Sequence, residues 1–264
     1  MPERSSSTVH VVAGVLIDAA DRVLIAQRPP GKHMAGGWEF PGGKLEPGED
    51  RRAGLARELR EELGIDIRGP LRPLIRVTHE YPSRTVLLDT WVVPRFRGLP
   101  RGLDGQALRW CPRRELADAD LLPADAPIVA ALRLPGRLTR SASRGYALVD
   151  FRSLAARLGP RVPSRRDAAP AAPGTMAARP SSSPVKLLGT LCATAREAES
   201  AWRRGADFVV LCMRLPPSAL SRLCRAVPVP VYAHGVSLAQ AWALGATGSS
   251  ELTIRHRAAS RRDC

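Results

Sequence analysis

The 264-residue chain is 44% apolar, enough for one ordinary core or two small ones, and two domains are the expectation. Lys and Arg total 40 against 25 Asp and Glu, a formal charge of +15 that attracts polyphosphates. The excess is Arg scattered along the whole length with only 5% aromatics, so no dedicated nucleic-acid interface is expected. Five widely spaced cysteines without a Cys-x-x-Cys pair, a first segment without an apolar core and no run near ~18 apolar residues argue against a disulfide framework, a secretion signal and a membrane span; the expectation is a reduced, cytoplasmic protein.

In chain order, residues 9–17 read as a strand, 18–21 as a polar turn and 22–28 (RVLIAQR) as a second strand, together a hairpin. A loop rich in Gly and Pro follows. Residues 50–63 form the strongest helix candidate, with Gly64 at its expected C-terminal stop. Residues 71–80 and 84–93 read as a hairpin turning at Tyr81-Pro82-Ser83, 108–111 as a short strand, 112–117 as a short helix and 126–132 as a closing helix. The first domain is therefore set at 1–134. Residues 135–184 are dominated by Pro, Ala, Ser and Arg and are expected to be a largely disordered linker. From 185 to 252, strand-like VKLLGTL, ADFVVLC and VPVPVYAHG alternate with helical 193–204, 218–226 and 238–244, the pattern of parallel βαβ units. Residues 253–264 are a basic tail.

Chemistry concentrates in residues 43–65, GKLEPGEDRRAGLARELREELGI. On a helix Glu58, Glu61 and Glu62 fall at i, i+3 and i+4, one carboxylate face, while Leu55, Leu59 and Leu63 make an adjacent apolar stripe. Carboxylates this close repel unless a cation sits among them, and hard oxygen ligands on one rigid element suit Mg²⁺. Arg57 lies within reach of Glu49 if the preceding loop folds back, and would orient the face. Taken alone, glutamates on a helix are most often a solvated surface. The spacing as a whole is different: Gly43, five residues, Glu49, seven residues, then Arg57-Glu58-Leu59-x-Glu61-Glu62-x-Gly64-Ile65 would arise by chance on the order of 10⁻⁷ at ordinary residue frequencies.

This pattern is the signature of the Nudix hydrolases without a mismatch, and residues 9–134, including His33-Met34-Ala35-Gly36-Gly37-Trp38-Glu39-Phe40-Pro41-Gly42-Gly43-Lys44, resemble the MutT-like 8-oxo-dGTP diphosphatases throughout. The resemblance implies a Nudix α/β/α sandwich with a mixed sheet, followed by the linker and a small incomplete βα region. It implies Mg²⁺, with Mn²⁺ as a substitute, held by Glu58, Glu61, Glu62 and the Gly42 carbonyl. Arg57 and Asp104 complete the catalytic set. Arg28 and His33 match positions for phosphate and sugar, and the backbone from Glu39 through Phe40 and Pro41 to Gly42 matches the wall of the purine pocket. Asp125 stands where MutT-like members carry the Asn that reads the base, so an acceptor-only carboxylate, or its protonated form, replaces an amide.

The implied reaction is hydrolysis of 8-oxo-dGTP to the monophosphate and pyrophosphate, which cleanses the nucleotide pool and prevents mutation. Another nucleoside diphosphate derivative is the alternative substrate, because the box specifies metal and linkage but not the base. A nucleic-acid-binding or scaffold protein with an idle hydrolase domain is the alternative of another class. Residues 188–252 resemble the final third of thiamine-phosphate synthase barrels. About 65 residues cannot close an eightfold barrel, and the phosphate-binding Gly-Gly of that family reads His234-Gly235, which implies a catalytically silent remnant.

Overall fold

The computed structural model describes residues 8–82, 84–138, 146–150, 187–211 and 215–250. The first half is built on a mixed sheet in which β1 (Thr8–Leu16) runs parallel to β7 (Arg84–Val93) and antiparallel to β4 (Gly42–Lys44), while β6 (Arg72–Tyr81) is the antiparallel edge, giving the order β4-β1-β7-β6. A second sheet holds β3 (Trp38–Glu39), β2 (Arg22–Gln27) and β9 (Leu108–Pro112), and a short pair joins β5 (Asp66–Ile67) to β8 (Phe96–Arg97).

Period-2 alternation along β1 decides which helix each residue meets. Val12 and Leu16 join Leu55, Leu59 and Leu63 of helix α1 (Arg51–Leu63), whereas Ala13 and Val15 join Ile128, Val129 and Leu132 of α2 (Ala126–Leu132) on the opposite face. Each fully buried leucine of α1 contributes roughly 1.5–3 kcal/mol relative to exposure. A Cβ at Gly14 would stand 3.0 Å from Leu59 Cδ1, so the glycine lets α1 lie close on the sheet. Asp50 caps α1 by accepting from the backbone N–H of Arg52 and Ala53. Gly64, at φ 67°, ends it with its own N–H donating to the Arg60 carbonyl, so the helix read from sequence over residues 50–63 is observed as Arg51–Leu63 with Asp50 as its cap.

Past α2 the chain enters a six-stranded parallel sheet: β10 (Arg137–Leu138), β11 (Tyr146–Asp150), β12 (Leu187–Cys192), β13 (Phe208–Leu211), β14 (Val231–His234) and β15 (Gly248–Ser250), in the order β10-β15-β14-β13-β12-β11. Val209 and Leu211 of β13 face α3 (Ala195–Arg203), α4 (Pro217–Ala226) and α5 (Leu238–Ala243). Phe208 and Val210 face the other way, against Tyr232, Leu134 and Leu138. Apolar residues on both faces of one strand are what a parallel sheet covered on both sides requires. This is the incomplete βα region expected after the first half. Two of its strands, β10 and β11, fall inside residues 135–184 that the composition marked as linker; residues 139–145 and 151–184 lie outside the described residues, as does the tail expected at 253–264.

The hairpin expected from residues 9–28 does not form as a paired unit. β1 and β2 diverge into different sheets after the isolated Ile17–Val23 bridge, because each finds a longer partner elsewhere, β1 in β7 and β2 in β9. The hairpin of β6 and β7 is present, with Tyr81 paired to Arg84. Among the described residues no helix is long and apolar enough to cross a membrane.

Candidate active site

The carboxylate face of α1 meets the loop between β3 and β4. Gly42, at φ 150°, sits so close to β1 that a Cβ would collide with the Val12 carbonyl, and a Cβ on Gly43 would overlap the Glu58 carboxylate. The two glycines therefore bring bare backbone against the helix. The Gly42 N–H donates to Glu62 Oε2 at 3.1 Å.

Arg57 organises the face. Its Nε and Nη2 donate to the two oxygens of Glu49, both at 2.9 Å, its Nη1 to Glu58 at 2.8 Å and Glu61 at 3.1 Å, and its Nη2 to the Lys44 carbonyl at 3.2 Å. The loop does fold back onto Arg57, the condition under which the sequence placed Glu49 within its reach. Hydrogen bonding to Arg57 first, and then the Glu46 N–H, pull the Glu49 carboxyl down to about 2. Glu62 behaves in the opposite way: burial first, then the charges of Glu39, Glu58 and Asp104, push its carboxyl up to about 7 against the Gly42 N–H that favours the ion.

Glu58 and Glu62 flank the Gly42–Gly43 backbone, Glu58 at 14% side-chain exposure, while Glu61 stands at the rim at 60% exposure. No group of three His, Cys, Asp or Glu side chains able to hold a metal ion is found among the described residues. Two inward carboxylates beside a bare backbone nevertheless fit Mg²⁺, which commonly takes one or two carboxylates and fills its other positions with water and substrate phosphate. The raised proton affinity of Glu62, set first by burial and then by the charges of Glu39, Glu58 and Asp104, is what a cation held beside it would offset.

Other residues singled out from sequence gather around this centre. Arg28 donates from Nε to the His33 carbonyl at 2.8 Å and pairs through Nη1 with Glu39, whose carboxyl is raised by burial and lowered in part by that pairing. The His33 ring meets Tyr81 edge-on at 5.6 Å. The Pro41 carbonyl accepts from Gly14 N–H, and the Phe40 side chain is in the core, so these two can offer a ligand only backbone or a ring edge. Asp104 is half exposed, 3.9 Å from Lys32, and its charge reaches Glu62. Asp125 is 4% exposed with Oδ2 unpartnered. Burial first, then the Glu39 charge, raise its carboxyl well above the ordinary aspartate value against the Arg28 charge, and so favour the protonated form.

Three features were not singled out from sequence. Gln106 is buried, donates to the Glu62 carbonyl at 3.1 Å and accepts from Asp104 N–H at 2.8 Å, tying the Asp104 loop to the end of α1. The Arg28–Glu39 ion pair and the nearness of Tyr81 to Asp125 are the others. All three join segments distant in the chain, and local spacing carries no signal for them.

A family model described as "NUDIX domain" matches residues 12–131. The chain is 42% identical over 123 residues to the CTP pyrophosphohydrolase of Escherichia coli strain K12, covering 47% of this chain and 90% of that protein. The chain belongs to the Nudix family. It is also 34% identical over 125 residues to the 8-oxo-dGTP diphosphatase of the same organism, covering 47% of this chain and 96% of that one. A solved MutT structure, from work on Aliivibrio salmonicida and Vibrio cholerae, is 33% identical over 48% of this chain and 97% of that chain, at a TM-score of 0.42. In this Nudix chain the matched segment ends at the last turn of α2, so the six-stranded sheet lies beyond it.

Proposed function

We propose that this Nudix chain hydrolyses the triphosphate of a nucleotide to a monophosphate and pyrophosphate, with 8-oxo-dGTP as its substrate, and so removes a mutagenic precursor. The observation that carries the reading is the Arg57-ordered carboxylate cluster laid against the bare backbone of Gly42 and Gly43. Mg²⁺, or Mn²⁺ in its place, would be held by Glu58, Glu61, Glu62 and the Gly42 carbonyl, and supplies charge neutralisation at the phosphate oxygens and a more acidic water.

The residues of the chain do the rest. Arg57 fixes the rotamers of Glu58 and Glu61, so the carboxylates lose little freedom when substrate arrives. Arg28 and His33 place the phosphates and sugar from the far side, and Lys32 adds a cation beside Asp104. The proton of the attacking water passes to one of Glu58, Glu61 or Asp104, and in-line displacement at phosphorus needs no covalent nucleophile.

Base choice falls to Asp125. A neutral carboxyl offers one donor and one acceptor, as an Asn amide does. That pair suits the 8-oxo-guanine edge, where N7 carries a hydrogen beside the O6 acceptor, and opposes ordinary guanine, whose N7 and O6 both accept. The same pair also suits cytosine, with its N4 donor and N3 acceptor, so a cytosine nucleotide is the second reading. It is favoured by the 42% identity to a protein named CTP pyrophosphohydrolase. In this reading the second half, which resembles part of thiamine-phosphate synthase, carries no second reaction.

The test is competitive hydrolysis of equal 8-oxo-dGTP, dGTP, CTP and dCTP with Mg²⁺, followed by chromatography. First consumption of 8-oxo-dGTP supports the main reading, and first consumption of the cytosine nucleotides replaces it with the second. Pyrophosphate release from none of them sinks both.

A further inference from the structure

A cleft of about 380 Å³ lies where the two halves meet, between the first turn of α1, strands β6 and β7, and helices α4 and α5. That volume is in the range of small-molecule sites. The cleft is separate from the carboxylate cluster: the region bounded by Glu39, Glu62 and Asp104 shares no lining residue with it.

Its charge is one-sided. Arg51 and Arg76 from the first half and Arg225 from the second converge: burial first, with the charges of Arg51 and Arg225 added to it, disfavours Arg76 as a cation, and Asp89 offsets this in part. Arg52 adds a fourth positive charge, 5.2 Å over the Trp91 ring. Opposing them are two carboxylates that are already engaged. Asp89 pairs with Arg51 at 2.7 Å and with Arg76 at 3.7 Å, and Asp50 caps α1. Packing like charges together across a domain boundary costs stability unless an anion offsets them.

Unused hydrogen-bonding capacity supplies a second, independent observation. Trp91 and Thr90 are buried, line the cleft, and have indole Nε1 and hydroxyl Oγ1 without hydrogen-bond partners; Arg76 Nε stands 3.7 Å from Asp89 and makes no hydrogen bond. Indole and guanidinium N–H groups can only donate, so what these groups lack is acceptor atoms. A buried donor left unsatisfied loses its bond to water with nothing in return, a cost that an oxyanion would remove. Cys224 also lines the cleft, but burial pushes its thiol up to about 12, so it offers no ready nucleophile.

We propose that this cleft binds a small polyvalent oxyanion of the phosphate class, free or as a phosphate ester, between Arg51, Arg76 and Arg225, clamping the second half onto the first. The oxyanion oxygens accept from the guanidinium groups and from Trp91 Nε1.

Isothermal titration calorimetry on the full chain in metal-stripped buffer at fixed ionic strength tests this, with inorganic pyrophosphate, inorganic phosphate and adenosine monophosphate as probes. The expected result is saturable one-to-one binding of at least one probe, weakened about tenfold or more in Arg225→Gln and unchanged in Glu62→Gln. Tightest binding of pyrophosphate marks a free anion as the ligand, and tightest binding of the monophosphate marks an ester. Trp91→Phe, which deletes only the N–H donor, gives the same direction with a smaller loss and serves if Arg225→Gln does not fold. Absence of saturable binding for all three probes overturns the proposal. So does binding that is indifferent to both cleft variants, or binding lost in Glu62→Gln, which would place the anion in the carboxylate site.

Discussion

The two halves of the molecule treat buried charge in opposite ways. In the first half polar groups are forced together: Arg57 serves three carboxylates, Glu62 is held near neutral pH, and Asp125 is buried with an unpartnered oxygen. In the second half the strands present Phe208, Val209, Val210 and Leu211 in succession, and the helices cover them with alanine and leucine. Strain of the first kind persists where a ligand relieves it, whereas packing of the second kind needs nothing further. The difference agrees with the proposed reading, in which the reaction belongs to α1 and its facing loop and the parallel sheet acts as a support.

The comparison is most sharply broken by Glu62→Gln. It should lower Mg²⁺-dependent pyrophosphate release by about 10³-fold or more in a steady-state assay while the fold remains intact by circular dichroism. Phe208→Ala in the second half should do the reverse. It removes a fully buried ring, costing about 3–5 kcal/mol in denaturant unfolding, and should leave kcat of the folded fraction within about twofold. A loss of kcat matching that of Glu62→Gln would make the sheet part of the active site.

A smaller effect is expected at the seam. Thr247 Oγ1 donates to the Leu74 carbonyl at 2.7 Å and accepts from Val231 N–H at 3.2 Å, so Thr247→Val strands two buried backbone groups. The cost should be about 1–3 kcal/mol by chemical denaturation. A change near zero would mean that the halves are held by other contacts, such as Tyr232 Oη donating to the Pro135 carbonyl and Arg72 over the Trp242 ring.

The pH dependence is the finest of these tests. Because the Glu62 carboxyl titrates at about 7 in the folded, metal-free protein and at its ordinary 4.5 when unfolded, the folded state binds the proton more tightly. The stability it contributes is complete below about 4.5 and is lost as pH rises through about 7. Mg²⁺ binding requires the ionised form, so the thermal stabilisation given by added Mg²⁺ should grow over the same window. Thermal melts at several pH values check both slopes, and Glu62→Gln should flatten them.

How much of this was legible in sequence differs between the halves for a physical reason. Helix α1 was readable to its ends because Asp50, Gly64 and the i, i+4 leucines are local signals. The pairing of Arg57 with Glu49 was legible only as a condition, that the loop before α1 folds back, which the structure meets. The divergence of β1 and β2 was not legible, since sheet partners are chosen by contacts 77 residues downstream with β7 and 82 to 90 downstream with β9. Strands β10 and β15 are two and three residues long, too short to show a period, and become strands only through each other and β14. Asp125 was visible as a departure from the Asn of MutT-like members, but its raised proton affinity depends on burial and on Glu39, which no spacing encodes.

The central claim, that the α1 carboxylates run nucleotide pyrophosphate hydrolysis, is tested most directly by pyrophosphate release from 8-oxo-dGTP and CTP in wild-type protein and Glu58→Gln side by side, with and without Mg²⁺. The account predicts rapid Mg²⁺-dependent release from at least one nucleotide by the wild type and its near abolition in the variant. Equal rates in the two proteins, or release that ignores Mg²⁺, would contradict it.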